Sequence, residues 1–115
     1  MVEDDESMRE LLRLHLVGAG YDVVVAEDGI AAGYAVLKTP PDLILCDIEM
    51  PHMSGLDLVA ALRADTSLPK VPVIFLTSLE EGVSRAKELG ATAFITKPVM
   101  ADALFDAVHA ALRPK

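Results

Sequence analysis

The sequence predicts a single open α/β domain, a parallel sheet with helices on both faces. Two runs, Leu43-Ile44-Leu45-Cys46 and Val73-Ile74-Phe75-Leu76, are short and apolar at every position. That pattern fits strands buried on both faces rather than half-exposed ones. Longer stretches between and around them repeat apolar side chains at helical spacing. Strand and helix alternate along the whole chain, giving (βα)5 if residues 1–4 form the first strand. Alternation of this kind makes a parallel sheet with right-handed crossovers.

Met1 and Val2 are followed by four consecutive carboxylates, Glu3, Asp4, Asp5 and Glu6. Such a run is usually a solvated face or a helix start, and Asp5, Glu6 and Ser7 are suited to cap and charge-match one. Met8, Leu12 and Leu16 recur at i, i+4 and i+8, with Leu11 widening the stripe. That helix ends near Gly18-Ala19-Gly20, where a glycine can take the left-handed cap. Residues 21–26, with three adjacent valines, read as the second strand. Asp28-Gly29 opens an alanine-rich helix to about residue 38, and Thr39-Pro40-Pro41 stops it. The third strand runs into Asp47 and is over by Pro51, which cannot donate to a ladder. The loop His52-Met53-Ser54-Gly55 ends in a glycine suited to positive φ. Residues 56–63 then read as a helix with Leu58, Val59 and Leu62 on its apolar face. A turn-rich connection with two prolines, 65–72, leads to the fourth strand, which ends at Thr77-Ser78. A weaker helix over 80–89 is closed by Gly90, and the last strand, 93–95, ends at Thr96-Lys97-Pro98. The final helix, 100–112, places Leu104, Val108 and Leu112 on one face.

One domain, 1–115, is the natural count for 115 residues. The chain is 52% hydrophobic and only 4% aromatic, so alanine, valine and leucine must fill the core. A net charge of −8 argues against nonspecific binding to nucleic acid or an anionic membrane. It suits a metal cation or a basic partner face. No apolar run approaches a membrane span and no signal peptide is visible. The single cysteine, Cys46, fits a reducing, cytoplasmic compartment and an inert place in the core.

The strand ends carry the chemistry. The first ends at Glu3-Asp4, the third at Asp47, the fourth at Thr77-Ser78 and the fifth at Lys97. In a parallel sheet these ends share one edge, the edge where ligands bind in open α/β folds. Taken alone, Asp47 reads equally as a helix N-cap or loop aspartate. Together the ends bring three carboxylates, a hydroxyl pair and one ammonium to one place. Bare carboxylates would repel one another, and a divalent cation resolves that repulsion. Few protein ligands, all of them oxygen, suit Mg²⁺ and not zinc. Cation, ammonium and hydroxyl around one carboxylate make a site for a phosphoryl group on it, with aspartate as the nucleophile that forms an acyl phosphate.

On these residues the chain resembles the receiver domain of bacterial two-component response regulators. The motifs are Glu3-Asp4-Asp5, Asp47-Ile48-Glu49-Met50-Pro51 with Gly55, Leu76-Thr77-Ser78, and Gly90-Ala91 through Lys97-Pro98. The resemblance covers essentially the whole chain. It implies a flavodoxin-like, five-stranded parallel sheet of order 2-1-3-4-5, here with a shortened first strand. It implies Asp47 as phospho-acceptor and metal ligand, Asp4 as a direct Mg²⁺ ligand, Glu3 supporting the ion through water, and the backbone carbonyl of Glu49 as a further ligand. Thr77 is then the hydroxyl that bonds the phosphoryl group and Lys97 the cation that pairs with it. Phe94 occupies the aromatic switch position and, lacking a hydroxyl, signals by burial and rotation alone. The implied partner is a sensor histidine kinase or a histidine phosphotransfer protein, and a homodimer is compatible with the pattern. Arg9, His15, His52 and His109 match no catalytic role and are expected at surface or packing positions.

Two other functions share part of this pattern. A phosphohydrolase of the haloacid dehalogenase class also uses a strand-end aspartate and Mg²⁺, but wants an Asp-x-Asp-x-Thr pattern. Glu49 stands at the right offset, yet Met50-Pro51 follows and no cap domain fits in 115 residues. A phosphorylation-independent protein-binding module is disfavoured because no motif residue is missing. Three finer expectations accompany the main reading: a cis Lys97–Pro98 peptide, a Glu49 side chain that tunes the lifetime of the phosphorylated state, and an N-terminal truncation. Only Met1 and Val2 precede Glu3, whereas a strand usually needs about 5–6 residues. Backbone groups near residues 21–23 and 42–44 should then lack partners, leaving a less stable domain prone to associate through the opened groove.

Overall fold

The structure is a computed structural model, and it describes residues 1–3, 5–48, 54–64, 71–77, 88, 91–97 and 99–112. In chain order the elements are α1 (Glu6–Gly18), α2 (Gly29–Lys38), β1 (Ile44–Asp47), α3 (Gly55–Ala64), β2 (Val73–Thr77), β3 (Ala93–Thr96) and α4 (Ala101–Leu112). The three strands form one parallel sheet in the order β1-β2-β3. Val2 extends it by bridging Cys46 on one side and Ala26 on the other, both in parallel. Ala26, Val2, β1, β2 and β3 therefore lie side by side in the order expected of the segments, 2-1-3-4-5. Of the helix expected over 80–89, only Glu88 falls within the described residues, and it is helical.

Local chemistry sets the helix ends. Asp5 caps α1 by accepting the Met8 N–H, and Asp28 caps α2 by accepting the Ala31 N–H. At the other end of α1, Gly20 takes φ 96°, its N–H donates to Val17 O, and the Tyr21 N–H donates to Leu16 O. This pair of bonds satisfies carbonyls that the last turn would otherwise leave open.

The sheet splits the core in two. Ile44, Cys46, Val73 and Phe75 face one side with Ala32 of α2 and Leu58 and Val59 of α3. Leu45, Ile74 and Leu76 face the other with Leu12 and Leu16 of α1 and Leu104 and Val108 of α4. Every residue of β1 and β2 is buried, as continuous apolar runs require. The α1 stripe is narrower than its sequence suggests: Leu12 and Leu16 are buried, but Leu11 is half exposed.

The second strand departs from expectation. No strand forms over residues 21–25, and the sheet is entered only at Ala26. On this side, among the described residues, the lead before Glu3 meets residues 24–26. Its own groups are well used: Val2 donates to Leu45 O and accepts from Asp47 N–H, Ala26 N–H donates to Met1 O, and Glu3 N–H donates to Ala26 O. The Met1 ammonium donates to Val24 O at 2.7 Å. Among the described residues none continues that pairing alongside residues 21–23, and Asp22, Val24 and Val25 stay exposed. No helix among the described residues is long and apolar enough to cross a membrane.

Candidate functional site

The site is assembled by strand register. Asp47 ends β1 and pairs with Leu76, while Thr77 ends β2 and pairs with Thr96. Lys97 follows β3 directly, and its N–H donates to Thr77 O at 2.8 Å. Glu3 follows Val2, whose carbonyl accepts the Asp47 N–H at 2.9 Å. Asp47 and Thr77 are thus the last paired residues of their strands, and Glu3 and Lys97 directly follow the last paired residues of theirs.

Glu3, Asp47 and Thr77 are all buried, the only polar or charged residues in that state among those described. Lys97 reaches them from a partly exposed position. Its Nζ lies 3.0 Å from Asp47 Oδ1 and 3.9 Å from Glu3 Oε2. Burying a carboxylate is costly unless it is paired and hydrogen-bonded, so Lys97 is the element that makes Asp47 tolerable at this depth. Two carboxylates share one ammonium here, an oxygen-rich donor set with surplus negative charge that suits a hard cation. Asp4, Glu49, Ser78, His52 and Pro98, with the expected cis peptide, lie outside the described residues.

The chain also holds the backbone around Asp47 tightly. Gly55, the first residue of α3, donates its N–H to Ile48 O at 3.0 Å. A Cβ on Gly55 would stand 2.1 Å from Asp47 O and 2.9 Å from Cys46 Sγ. The glycine is therefore required by close approach of helix and strand end, and not by the positive φ its loop position suggests, since its φ is not in that region. Ser54 supports the turn by accepting the Leu56 N–H on its hydroxyl. Cys46 is buried, its thiol donates to Asp47 O, and burial pushes its pKa up to about 12, with the neighbouring Asp47 charge adding to the effect. It is the inert core thiol expected.

Arg9 is the residue that sequence reasoning missed. Its Nη1 donates to the Glu3 carbonyl at 3.0 Å, and the Glu3 side chain in turn accepts the Asp5 N–H. The guanidinium thus clamps the acidic turn from the first helix. No sequence signal marks this, because the contact spans six residues across a helix cap. His15 packs edge-on against Phe105, and exposed His109 has Tyr21 OH 3.3 Å from its Nδ1, so the two take packing and surface positions as expected. Phe94 pairs in register with Phe75 and is only partly buried. It lines an open cleft of about 530 Å³ with Met100, Ala103 and Asp106, on the strand that Lys97 directly follows.

Comparison with known proteins bears on what this edge is. The family model described as "Response regulator receiver domain" matches residues 1–109. The DNA-binding response regulator MtrA of Mycolicibacterium paratuberculosis is 39% identical over 98% of this chain and 50% of its own length. The chain thus spans about half the length of the curated relatives it matches. Among solved structures, the chemotaxis response regulator CheY4 of Vibrio cholerae superposes with a TM-score of 0.89 at 32% identity, covering 96% of this chain and 94% of that one. A signal receiver domain of a histidine kinase from Syntrophus aciditrophicus gives 0.87 at 37% identity, covering 96% and 86%. The match begins at the shortened first strand and runs into α4, so it takes in every strand end that contributes to the charged edge, and the chain belongs to the response regulator receiver domain family.

Proposed function

We propose that this domain is a phosphorylation-controlled signalling module whose phospho-acceptor is Asp47. The observation that carries the reading is Lys97 Nζ at 3.0 Å from a buried Asp47 carboxylate at the end of a parallel strand. A carboxylate oxygen of Asp47 bonds to phosphorus as the phosphorus–nitrogen bond of a phosphohistidine donor breaks. The bonding pair leaves with the imidazole nitrogen, and an acyl phosphate results. Lys97 shifts from Asp47 Oδ1 onto the incoming phosphoryl oxygens, and the Thr77 hydroxyl donates to the same group. By the receiver resemblance Asp4, Asp47 and the Glu49 carbonyl would hold Mg²⁺, with Glu3, whose carbonyl Arg9 grips, supporting it through water. An ion held there would supply positive charge against the charge that builds on the transferring group. Phe94 reads the event out on the β3–α4 face. The donor is a sensor histidine kinase or histidine phosphotransfer protein, and the module acts in the cytoplasm without direct contact to nucleic acid or membrane.

Incubation with acetyl phosphate, with and without Mg²⁺, tests this. The expected result is a Mg²⁺-dependent mass gain of one phosphoryl group, stable to acid and labile to hydroxylamine, absent in a folded Asp47→Asn variant. A gain that persists at another residue in that variant overturns the assignment. Glu49→Ala should change the dephosphorylation rate while Mg²⁺ affinity holds, and an unchanged rate would leave Glu49 a solvated acid.

A further inference from the structure

Helix α2 has the composition of a buried element, yet one of its faces lies in solvent. Its ten residues, Gly29–Lys38, include a single charge, Lys38. A helix apolar all round is normally covered all round. Here Gly29 and Ala32 are buried and Val36 packs against the core, but Ile30, Tyr34 and Leu37 are 64%, 73% and 60% exposed. Spaced i, i+4, i+7, these three form one continuous row, the spacing of a helix–helix seam. Gly33 borders the row with open space where a Cβ would be, which allows a second backbone to come close. The exposed apolar residues of α1 are different in kind. Leu14 and Val17 share their face with Glu10 and Arg13, which pair with each other.

We propose that α2 is a dimer face and that its occupant is α2 of a second copy, packed antiparallel about a two-fold axis near Tyr34. The charge pattern selects this partner. A chain of net charge −8 repels its own copy in most orientations. The α2 row carries no acid between its ends, and its ends are opposite in sign. Exposed Glu27 precedes it and exposed Lys38 closes it, while Asp28 is committed to capping the Ala31 N–H. A two-fold operation makes this pattern self-complementary. It sets Ile30 against Leu37, Tyr34 against Tyr34, and Lys38 of each copy against Glu27 of the other. Antiparallel helix dipoles are opposed as well. The face is formed without phosphorylation, so association does not depend on Asp47 chemistry, and the proposal stands apart from the phospho-acceptor reading.

Sedimentation velocity over a concentration series reads the association. The parent and Asp47→Asn should form the same dimer with equal affinity. Tyr34→Glu, on an exposed side chain, should weaken it at least about tenfold, the scale of a central aromatic contact. Lys38→Glu and Glu27→Lys should each weaken it about fivefold, the scale of two exposed ion pairs, and the double reversal should restore it. Circular dichroism and melting temperature, unchanged in each variant, separate lost association from lost folding. A monomer at every concentration, a dimer indifferent to Tyr34→Glu but lost in Leu14→Glu, a dimer seen only after phosphorylation, or a double reversal no tighter than the singles would each overturn the proposal.

Discussion

The two sides of the Asp47 strand are built on different scales. Toward β2 and β3, every residue of β1 is paired in register, from Ile44 with Val73 to Asp47 with Leu76, and the ladder continues into β3. Toward the N-terminus, Val2 alone bridges among the described residues, and 21–25 form no strand. Yet both sides deliver a charged group to the same edge, Glu3 from one and Lys97 from the other, with Lys97 Nζ 3.0 Å from Asp47 Oδ1 and 3.9 Å from Glu3 Oε2. The charged edge is thus assembled from the last residues of each strand, whatever the length behind them. Strand length behind the site serves stability, and the two can be varied separately.

The largest effect is expected on the complete side. Lys97→Met should slow phosphorylation of Asp47 by acetyl phosphate about 100- to 1000-fold, the cost of losing a charge-stabilising donor. A rate within tenfold of the parent would mean that the β3 side supplies scaffold and no electrostatics. Gly55→Ala comes next, because a methyl 2.1 Å from Asp47 O forces α3 or the strand end to move. A loss of about 3 kcal/mol in denaturant melts is expected, at the upper end of overpacking costs, together with slower phosphorylation. A loss in stability alone would show that the Asp47 peptide can shift without disturbing the site.

The incomplete side can be completed. Adding three or four apolar residues before Met1, in phase with Val2, should pair residues 21–24 and raise stability by about 1–3 kcal/mol, the worth of a few added ladder bonds. Phosphorylation rates should hardly change. Equal melts would mean that solvent satisfies this edge as well as a strand does.

The smallest effect is the sharpest local probe. Cys46 bridges Val2, so a thiol reagent reaches it when this side opens. Labelling in the native protein should be slow, and slower still in the extended chain. The pH sign follows from burial. The folded thiol titrates at about 12 and an ordinary one near 9.0, so the unfolded chain gives up its proton first. Stability from this group is therefore complete below pH 9 and falls as pH rises toward 12, by one titration's worth. Melts of Cys46→Ser or Cys46→Ala that lose stability over that window as steeply as the parent would assign the loss to other groups.

Features governed by near neighbours were legible in the residues. Asp5, Asp28 and Gly20 mark helix ends through bonds within one turn, and the apolar runs leading to Asp47 and Thr77 read as buried strands. Because parallel strands share their C-terminal edge, the grouping of Glu3, Asp47, Thr77 and Lys97 was legible too. Whether 21–25 would be a strand depended on tertiary packing, since β-propensity in three valines has no effect without a partner backbone beside it. The same packing decided that Leu11 stays half exposed, that Gly55 is held by contact with Asp47 O, and that Arg9 grips the Glu3 carbonyl. Each of these depends on distances between elements, and such distances are fixed by how the helices settle on the sheet, a property that no local spacing encodes.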